Sequence, residues 1–371
     1  MASGLVVFIV AVTGCLYAFQ YELQEISQSF RHVEKRPEQF QPPTKLKSIA
    51  TAQLPDYHLH SILYEGRDRS VSGIFYGDDP LYYYTVYMDP YSGEVLKVKD
   101  MTRDFFYQVL QGHYYLWLPP EIGQPIVAYS TLIFTVMLIT GLVLWWPKNR
   151  KNIKQRFTVK WSGKWRRKNY DIHGVLGFYS MFIALVLALT GLVWGFEWFG
   201  KFVYEVAGGD KNYIYTMPVS KSNPGMAVNN PEDKLWMMMS EENPDAESIE
   251  IHFVDNDTSA LEVAINYNKE TYWSVDYRYF DQRTLEEVEV NEIYGPIKKA
   301  TAADKLIRMN YDIHTGAIIG LPGKTLAFFA SLMVASLPVT GFMIWYGRRY
   351  KKEKEKEKEK EKMKLVHYIS Q

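Results

Sequence analysis

The stretch Tyr170-Asp171-Ile172-His173-Gly174, with the apolar run from Val175 to Trp194 that follows it, decides the fold. A run of about 20 apolar residues crosses the roughly 30 Å of bilayer hydrocarbon as a helix. The run ends in Thr190-Gly191-Leu192-Val193-Trp194. The stretch therefore predicts a membrane helix with a histidine at one boundary and a tryptophan at the other.

Parts of this stretch recur along the chain. The Asp-Ile-His triplet returns as Asp312-Ile313-His314. A Thr-Gly pair stands near the end of four apolar segments, as Thr13-Gly14, Thr140-Gly141, Thr190-Gly191 and Thr340-Gly341. We interpret these pairs as small-residue positions at which helices approach closely. The recurrence indicates a tandem duplication, in which each half contains a membrane helix, a polar module, a histidine-bearing segment and a second membrane helix.

The average composition hides this arrangement. The chain has 371 residues, a formal charge of zero and a mean hydropathy of −0.22. Because the apolar residues concentrate in four windows, we predict an α-helical membrane protein with four transmembrane helices and two α+β modules. The single cysteine, Cys15, excludes a disulfide framework and a cysteine-based metal site. Nothing in the sequence indicates nucleic-acid binding.

These features divide the chain into eight segments. In the first half they are transmembrane helix 1 (1–21), an α+β module (22–105), and a histidine-bearing segment with transmembrane helix 2 (106–146). A basic loop (147–169) leads to transmembrane helix 3 (170–197), a second α+β module (198–310), and a histidine-bearing segment with transmembrane helix 4 (311–347). A charged tail covers 348–371, and we expect its Lys-Glu alternation to be a solvated, low-complexity segment.

Local patterns predict the elements of both modules. A helix opened by Pro42-Pro43 covers Thr44–Leu54, and alternation predicts strands at Tyr57–Tyr64, Val71–Tyr76, Tyr82–Met88 and Glu94–Val98. In the second module a helix at Pro231–Ser240 precedes strands at Ser248–Val254, Ala260–Tyr267 and Tyr272–Phe280. Pro119-Pro120 predicts a break between His113 and the second membrane helix.

The basic loop sets the orientation. Residues 147–169 contain ten lysines and arginines and no acidic residue. A short loop of this kind stays on the cytoplasmic side of a membrane. We therefore place this loop and the C-terminus in the cytoplasm, and both modules on the opposite, periplasmic side.

The first apolar window has three interpretations. Val12-Thr13-Gly14-Cys15 loosely matches a lipoprotein cleavage box, and the segment also has the length of a signal peptide. The repeat favours a membrane helix with a shortened start, because His173 lies 17 residues before Thr190 and the position equivalent to it falls upstream of Met1. We expect a histidine at that upstream position.

Three histidines are related by the duplication. His113 precedes Thr140 by 27 residues and His314 precedes Thr340 by 26 residues, so the two occupy equivalent places at the boundary opposite His173. Two imidazoles at one depth suit bis-histidine ligation of a haem iron. The alternative is that they are ordinary interfacial residues and that Asp-Ile-His marks a helix start. We expect the other five histidines to be surface residues, with metal chelation by His58-Leu59-His60 as a second possibility.

The tryptophans after the Thr-Gly pairs also have two interpretations. Tryptophan commonly anchors helices at the membrane interface. The alternative is that a tryptophan packs on a porphyrin and helps electrons to pass between sites; the candidates for this relay are Trp145, Trp194 and Trp345.

The chain resembles the PepSY-associated transmembrane proteins of bacteria from its first helix to Arg349. Three motifs carry the resemblance: Tyr87-Met88-Asp89-Pro90-Tyr91-Ser92-Gly93-Glu94-Val95, Thr140-Gly141-Leu142-Val143-Leu144-Trp145-Trp146-Pro147 and Asp171-Ile172-His173-Gly174-Val175-Leu176-Gly177. His173 matches the family's Asp-Leu-His-Arg motif, with Gly174 in place of the arginine. His113 and His314 match the histidines before the second and fourth helices. The chain lacks the Lys-rich flank and the His-Leu-Trp run that are usual at the start.

Known members of this family include inner-membrane ferric-siderophore reductases. The resemblance implies four membrane helices, two periplasmic PepSY-like modules and one or two b-type haems. It implies that His113 and His314 ligate the iron of a periplasmic haem. It also implies that His173 ligates the iron of a cytoplasmic-side haem, for which this sequence supplies one protein ligand.

The leading hypothesis is a multi-pass oxidoreductase of the bacterial inner membrane that contains haem. In this hypothesis it passes electrons across the lipid bilayer to iron held in a periplasmic ferric siderophore. The sequence contains no dinucleotide-binding glycine motif, so we expect a separate electron donor, either cytoplasmic or a quinol. Two alternatives stay open. One is a non-enzymatic periplasmic binding or assembly protein that restrains a peptidase or binds a partner. The other is a permease-like partner in iron uptake, which the scarcity of charges within the helices disfavours.

Overall fold

The computed structural model describes residues 2–146, 156–220, 228–254, 256 and 258–369, with the side chains of residues 2 and 351–369 excepted. The chain divides into two compact units. The helical unit comprises residues 1–18, 111–195 and 325–371. The sheet unit comprises residues 19–110 and 196–324.

The α-helices of the described residues are numbered in chain order. They are α1 (Ala2–Tyr17), α2 (Gln20–Ser27), α3 (Pro43–Gln53), α4 (Phe105–Tyr115), α5 (Pro120–Trp145), α6 (Trp165–Gly195), α7 (Glu197–Val206), α8 (Pro231–Glu242), α9 (Ala302–Thr315) and α10 (Gly320–Ile369). The strands are β1 (Leu59–Tyr64), β2 (Val71–Asp78), β3 (Leu81–Met88), β4 (Val95–Asp100), β5 (Ser248–His252), β6 (Leu261–Asn266) and β7 (Asp276–Phe280).

Long apolar helices dominate the helical unit. Among the described residues, three helical stretches are long and apolar enough to cross a membrane: Pro120–Trp145, Trp165–Gly195 and Ala317–Tyr350. The bent pair Ser3–Tyr17 and Gln20–Ser27 adds a fourth if it counts as one span. Three candidate spans are therefore found, and a fourth membrane helix stays a prediction.

Small and branched side chains form the core of the helical unit. The buried residues come from α1, α5, α6 and α10, and they are Val7, Ala11, Leu138, Met181, Ala184, Val334 and Ala335. Alanines at such contacts let helix backbones approach closely, which supports packing between membrane helices. The four long helices therefore share one core.

The sheet unit contains one antiparallel sheet of seven strands in the order β4-β3-β2-β1-β5-β6-β7. Strands β1–β4 come from the first half of the duplication and β5–β7 from the second. The halves join where β1 pairs with β5, with Ile62 opposite Ile251. The two predicted α+β modules therefore share a continuous sheet. In this pairing each half covers the open edge of the other half's first strand.

Helices α3 and α8 cover one face of this sheet. Their buried side chains include Leu46, Ala50, Leu235 and Met239. Trp236 packs against the core clusters of both halves, and its ring stacks on that of Tyr64 with 3.8 Å between centroids. The carboxylate of Asp233 on α8 accepts hydrogen bonds from the backbone N–H (2.8 Å) and the hydroxyl (2.5 Å) of Thr44 in the first turn of α3. A carboxylate there satisfies an N–H that has no partner within the helix.

The predicted strands and helices of the sheet unit are confirmed to within a few residues. The break at Pro119-Pro120 is confirmed as well, since α4 ends at Tyr115 and α5 begins at Pro120. Residues 147–155 of the predicted basic loop lie outside the described residues.

At three other places the structure differs from the sequence predictions. Helix α6 begins at Trp165, five residues before the predicted start at Tyr170. Helix α10 also continues to Ile369 through the Lys-Glu repeat, for which no helix was predicted. Lysine and glutamate both have high helix propensity, which accounts for the longer helix. That this segment is solvated stays a prediction. Neither Asp-Ile-His triplet marks a helix start, because Asp171 lies in the second turn of α6 and Asp312 lies in the last turn of α9.

Candidate functional site

A large cavity in the helical unit contains the first of the predicted site histidines. The cavity has a volume of about 1170 Å³, and His173 of α6 lines it. Its wall comes from α1, α5, α6 and α10, is mostly apolar, and includes the glycines Gly4, Gly141, Gly174, Gly177 and Gly341. Of these glycines, Gly141 has no protein atom within 4 Å of the position that a Cβ would take, whereas the other four have a protein side chain 3.3 to 3.7 Å from it. A roomy apolar cavity with few polar groups suits a large apolar ligand.

The polar part of the same cavity is cationic. Arg156 and Arg167 line it together with Asp171. The Nε of Arg167 lies 2.9 Å from Oδ1 of Asp171, and the backbone N–H of Lys160 donates to Oδ2 of Asp171 at 3.2 Å. The aspartate is therefore paired, which leaves the guanidinium of Arg156 as a further positive charge at the cavity. This charge favours a ligand that carries an anionic group.

A threonine holds the imidazole of His173. The Nδ1 of His173 lies 2.8 Å from Oγ1 of Thr340 on α10. Its Cε1 lies 3.4 Å from the position that a Cβ would take on Gly341. One helical turn before His173, the side-chain amide of Asn169 donates to the carbonyl of Thr340 at 3.0 Å. Two positions on one face of α6 thus bind the same threonine.

The same arrangement recurs at His113 on α4. Its Nδ1 lies 3.1 Å from Oγ1 of Thr13 on α1, and its Cε1 lies 3.4 Å from the Cβ position of Gly14. Burial lowers the pKa of His113 to about 4, and a backbone hydrogen bond to Val10 opposes this shift only in part. The imidazole of His113 is therefore neutral at physiological pH.

The surroundings of the Thr-Gly pairs differ from one pair to the next, and close helix approach at these pairs stays a prediction. At Gly14 and at Gly341 the nearest neighbour is an imidazole. At Gly141 no atom lies within 4 Å of the Cβ position. In the two pairs that contact a histidine, the threonine supplies a hydroxyl and the glycine leaves room for the ring.

The third predicted histidine, His314, lies on α9 in the sheet unit. Two residues before it, Asp312 is fully buried and accepts hydrogen bonds from the backbone N–H groups of Tyr272 (3.0 Å) and Trp273 (2.8 Å). These bonds fix the end of α9 against the segment that precedes β7. Because His113 belongs to the helical unit, the pairing of His113 with His314 on one haem stays a prediction from the sequence.

Two glycines outside the sequence motifs let each histidine-bearing segment pack closely against the next helix. A Cβ on Gly123 of α5 would lie 2.1 Å from the carbonyl oxygen of Tyr115, and a Cβ on Gly323 of α10 would lie 2.0 Å from that of Gly316. Only glycine fits at such a distance. A usable signal was present, since a glycine follows His113 by ten residues and His314 by nine.

Two of the three candidate relay tryptophans line the cavity of His173. Trp145 and Trp345 are part of its wall, and the ring of Trp145 stacks on Phe178 with 4.3 Å between centroids. Trp194 does not line this cavity; its backbone carbonyl accepts a hydrogen bond from the side chain of Gln124 at 3.3 Å. A relay role stays a prediction for all three.

The remaining histidines fit the surface expectation only in part. His32 and His58 are exposed, whereas His60 and His252 are half-buried and their Nε2 and Nδ1 atoms lie 3.2 Å apart. The side chain of His367 lies outside the described residues. In the part of the chain that the structure describes, no three His, Cys, Asp or Glu side chains gather as a metal site. This finding disfavours chelation by His58 and His60.

Comparison with known proteins identifies one family. The family model described as the PepSY-associated TM region matches residues 1–348. The match covers the candidate spans, the cavity of His173 and the whole sheet. A search of curated proteins finds no match to the chain.

Proposed function

The chain belongs to the PepSY-associated transmembrane family, and from this membership we propose that it is a haem-containing oxidoreductase of the bacterial inner membrane. In this proposal it passes electrons across the membrane to iron held in a periplasmic ferric siderophore. The observation that carries the proposal is the position of His173, an imidazole in the wall of a large and mainly apolar cavity.

The residues of this cavity fit a b-type haem. Its volume of about 1170 Å³ exceeds the roughly 300–1,000 Å³ of typical ligand pockets, which suits a ligand as large as a porphyrin. Imidazole is a common axial ligand of haem iron, and no protein atom lies within 4 Å of the position of a Cβ on Gly141 in the cavity wall. Arg156 and Arg167 line the same cavity, and a guanidinium binds carboxylates such as the haem propionates.

The residues of the chain then have separate tasks. His173 would hold the iron, and Thr340 and Asn169 would hold α6 and its imidazole in place. Trp145 and Trp345 would form part of the wall, which keeps water from the bound group. Haem, when bound, would accept and release one electron at a time.

On the periplasmic side, His113 and His314 are the proposed ligands of a second haem. The neutral, buried imidazole of His113 and its contact with Thr13 support a ligand role. The equivalent places of His113 and His314 in the duplicated sequence support their pairing.

The proposed reaction transfers one electron to each ferric ion. A separate donor, cytoplasmic or quinol, is oxidised, and the ferric ion bound by the siderophore becomes ferrous. Hard oxygen donors bind the softer, less charged ferrous ion less tightly, so the siderophore releases it. No bond of the siderophore has to break.

The test is a reduced-minus-oxidised visible spectrum of the purified chain, with haem measured per chain. We expect b-type bands, a loss of haem in His173→Ala, and a loss of the periplasmic signal in both His113→Ala and His314→Ala. The control is His58→Ala, since His58 is exposed and lies outside the cavity. A chain without haem, from cells that make ample haem, would overturn the proposal and favour a periplasmic binding protein.

A further inference from the structure

The hydroxyl proton of Thr340 is already used within its own helix. Its Oγ1 lies 2.9 Å from the carbonyl oxygen of Ser336 and 3.2 Å from that of Leu337. A carbonyl oxygen only accepts, so the hydroxyl donates to the helix backbone. Because a hydroxyl has one proton, Thr340 accepts in its 2.8 Å contact with Nδ1 of His173. The Nδ1 of His173 therefore carries the proton.

Thr13 repeats this arrangement at the other histidine. Its Oγ1 lies 2.8 Å from the carbonyl oxygen of Ile9 and 3.0 Å from that of Val10. The hydroxyl thus donates within α1 and accepts from Nδ1 of His113, 3.1 Å away. Thr13 is 4% exposed, so no bulk water competes for this contact.

We propose that Thr13 and Thr340 are positioning residues that fix His113 and His173 in the Nδ1-protonated tautomer, so that Nε2 is the nitrogen that binds iron. The partner of the second ring nitrogen sets the tautomer, the orientation and the basicity of a ligand histidine. This inference rests on the proposed function, because it assigns a role toward the same haem iron.

The paired glycine lies beside each imidazole. A Cβ built on Gly14 or on Gly341 would lie 3.4 Å from the imidazole Cε1, at ordinary van der Waals contact. With Nδ1 on the threonine and Cε1 over the glycine, one edge of the ring is held against the helix. The opposite edge then faces away from that helix. The repeated Thr-Gly pair is thus the part of the duplicated sequence that orients an imidazole.

The first test needs no haem. Nitrogen NMR of the haem-free chain, labelled at histidine, reports which ring nitrogen carries the proton. We expect His113 and His173, assigned by their alanine variants, to be neutral and protonated at Nδ1. A neutral Nε2-protonated ring at both positions would overturn the inference without bearing on haem binding.

The second test compares Thr340→Val, which loses the hydroxyl, with Thr340→Ser, which keeps it, in a His113→Ala background that isolates the site of His173. Removing such an outer partner costs about 10- to 100-fold in affinity, so we expect Thr340→Val to bind added haem that much more weakly. Its midpoint potential should rise, because a less basic imidazole stabilises ferric iron less. Thr340→Ser should keep the affinity and the potential of the parent.

The matched control is Thr131→Val, because the hydroxyl of Thr131 donates to the carbonyl of Val127 within α5 and Thr131 is not among the residues that line the cavity of His173. Thr13→Val and Thr13→Ser, in a His173→Ala background, repeat the test at His113 and serve if Thr340→Val does not fold.

Parent-like affinity and potential in the valine variants would overturn the inference while the proposed function stands. A serine variant as defective as valine would also overturn it. A parent chain without haem would instead overturn the proposed function.

Discussion

At the residue scale, one buried carboxylate joins three parts of the sheet unit. Asp304 is fully buried, and its Oδ2 lies 2.8 Å from Nζ of Lys211. Tyr204 donates its hydroxyl to Oδ1 at 2.8 Å, and Thr301 and Asp304 form a capping box at the start of α9. Burial alone raises the pKa of Asp304, but the hydrogen bonds from Lys211, Thr301 and Tyr204 outweigh it and hold this pKa below its usual value.

This lowered pKa gives the pH dependence a definite sign. The folded chain favours the ionised carboxylate, so the stabilisation is complete above the usual aspartate pKa of about 3.9 and is lost as the pH falls through the lower folded pKa. We expect Asp304→Asn to destabilise the protein by about 3–5 kcal/mol near neutral pH, because it removes the carboxylate that is paired with the buried charge of Lys211. Below the folded pKa the parent and the variant should converge.

Urea unfolding followed by circular dichroism between neutral and acidic pH measures this effect. The control is Glu289→Gln, since the ion pair of Glu289 with Lys299 at 2.8 Å is exposed on both sides and surface pairs contribute little. Equal losses in the two variants, or a difference that persists in acid, would contradict the assignment.

The histidine sites show which contacts sequence patterns can predict and which they cannot. The spacing within each half identified His113, His173 and the Thr-Gly pairs from the sequence. It did not connect them, because Thr13 and His113 are 100 positions apart and His173 and Thr340 are 167 apart. A hydrogen bond between side chains on different helices produces no periodic pattern in the sequence. It can therefore be identified only from the packed structure.

At the element scale, strands were predictable and the joining of the two halves was not. Alternation along β5 and β6 comes from burial of one face, and it identified both strands within two residues. The pairing of Ile62 with Ile251 depends on which two strand edges meet. Every exposed strand edge offers the same backbone N–H and C=O groups, so the sequence does not identify the partner strand. Helix α7 was also missed, because it is short and directly follows the end of α6.

Trp236 is the side chain through which α8 stabilises this joined sheet. Its ring stacks on Tyr64 of β1 and packs on the cores of both halves. We expect Trp236→Ala to lower the free energy of unfolding by about 3–5 kcal/mol, the usual cost of removing a large aromatic side chain from a core. Met237→Ala on the same helix is the control, since Met237 is 58% exposed. A comparable loss in both variants, measured by urea unfolding, would show that Trp236 does not link the halves.

At the scale of the whole molecule, the duplicated halves interleave in each unit. The helical unit takes α1 and α5 from the first half and α6 and α10 from the second. The sheet unit takes β1–β4 from the first half and β5–β7 from the second. The core of the helical unit and the core under α3 contain side chains of both halves, whereas the core under α8 consists of second-half residues. The helices and strands are therefore repeated in the two halves of the sequence, but the two halves do not form two separate domains.

The charge distribution predicts which side of the membrane each unit faces. The strongly basic stretch at 147–169 should remain in the cytoplasm, which places the sheet unit in the periplasm. The single cysteine, Cys15, is buried, so a Cys15→Ala chain accepts reporter cysteines without background. Exposed reporter positions are Ser162 in the basic stretch, Gln53 on α3 and Glu241 on α8.

A membrane-impermeant maleimide applied to spheroplasts then reports the orientation. We expect Gln53→Cys and Glu241→Cys to be labelled at once, and Ser162→Cys to be labelled only after the membrane is opened, because the reagent does not cross lipid. Labelling of all three after detergent treatment is the control for reactivity. If Ser162→Cys reacts in closed spheroplasts while the other two are protected, the orientation is reversed. Reduction of a periplasmic ferric siderophore by this chain would then have no physical basis, because the sheet unit would face the cytoplasm.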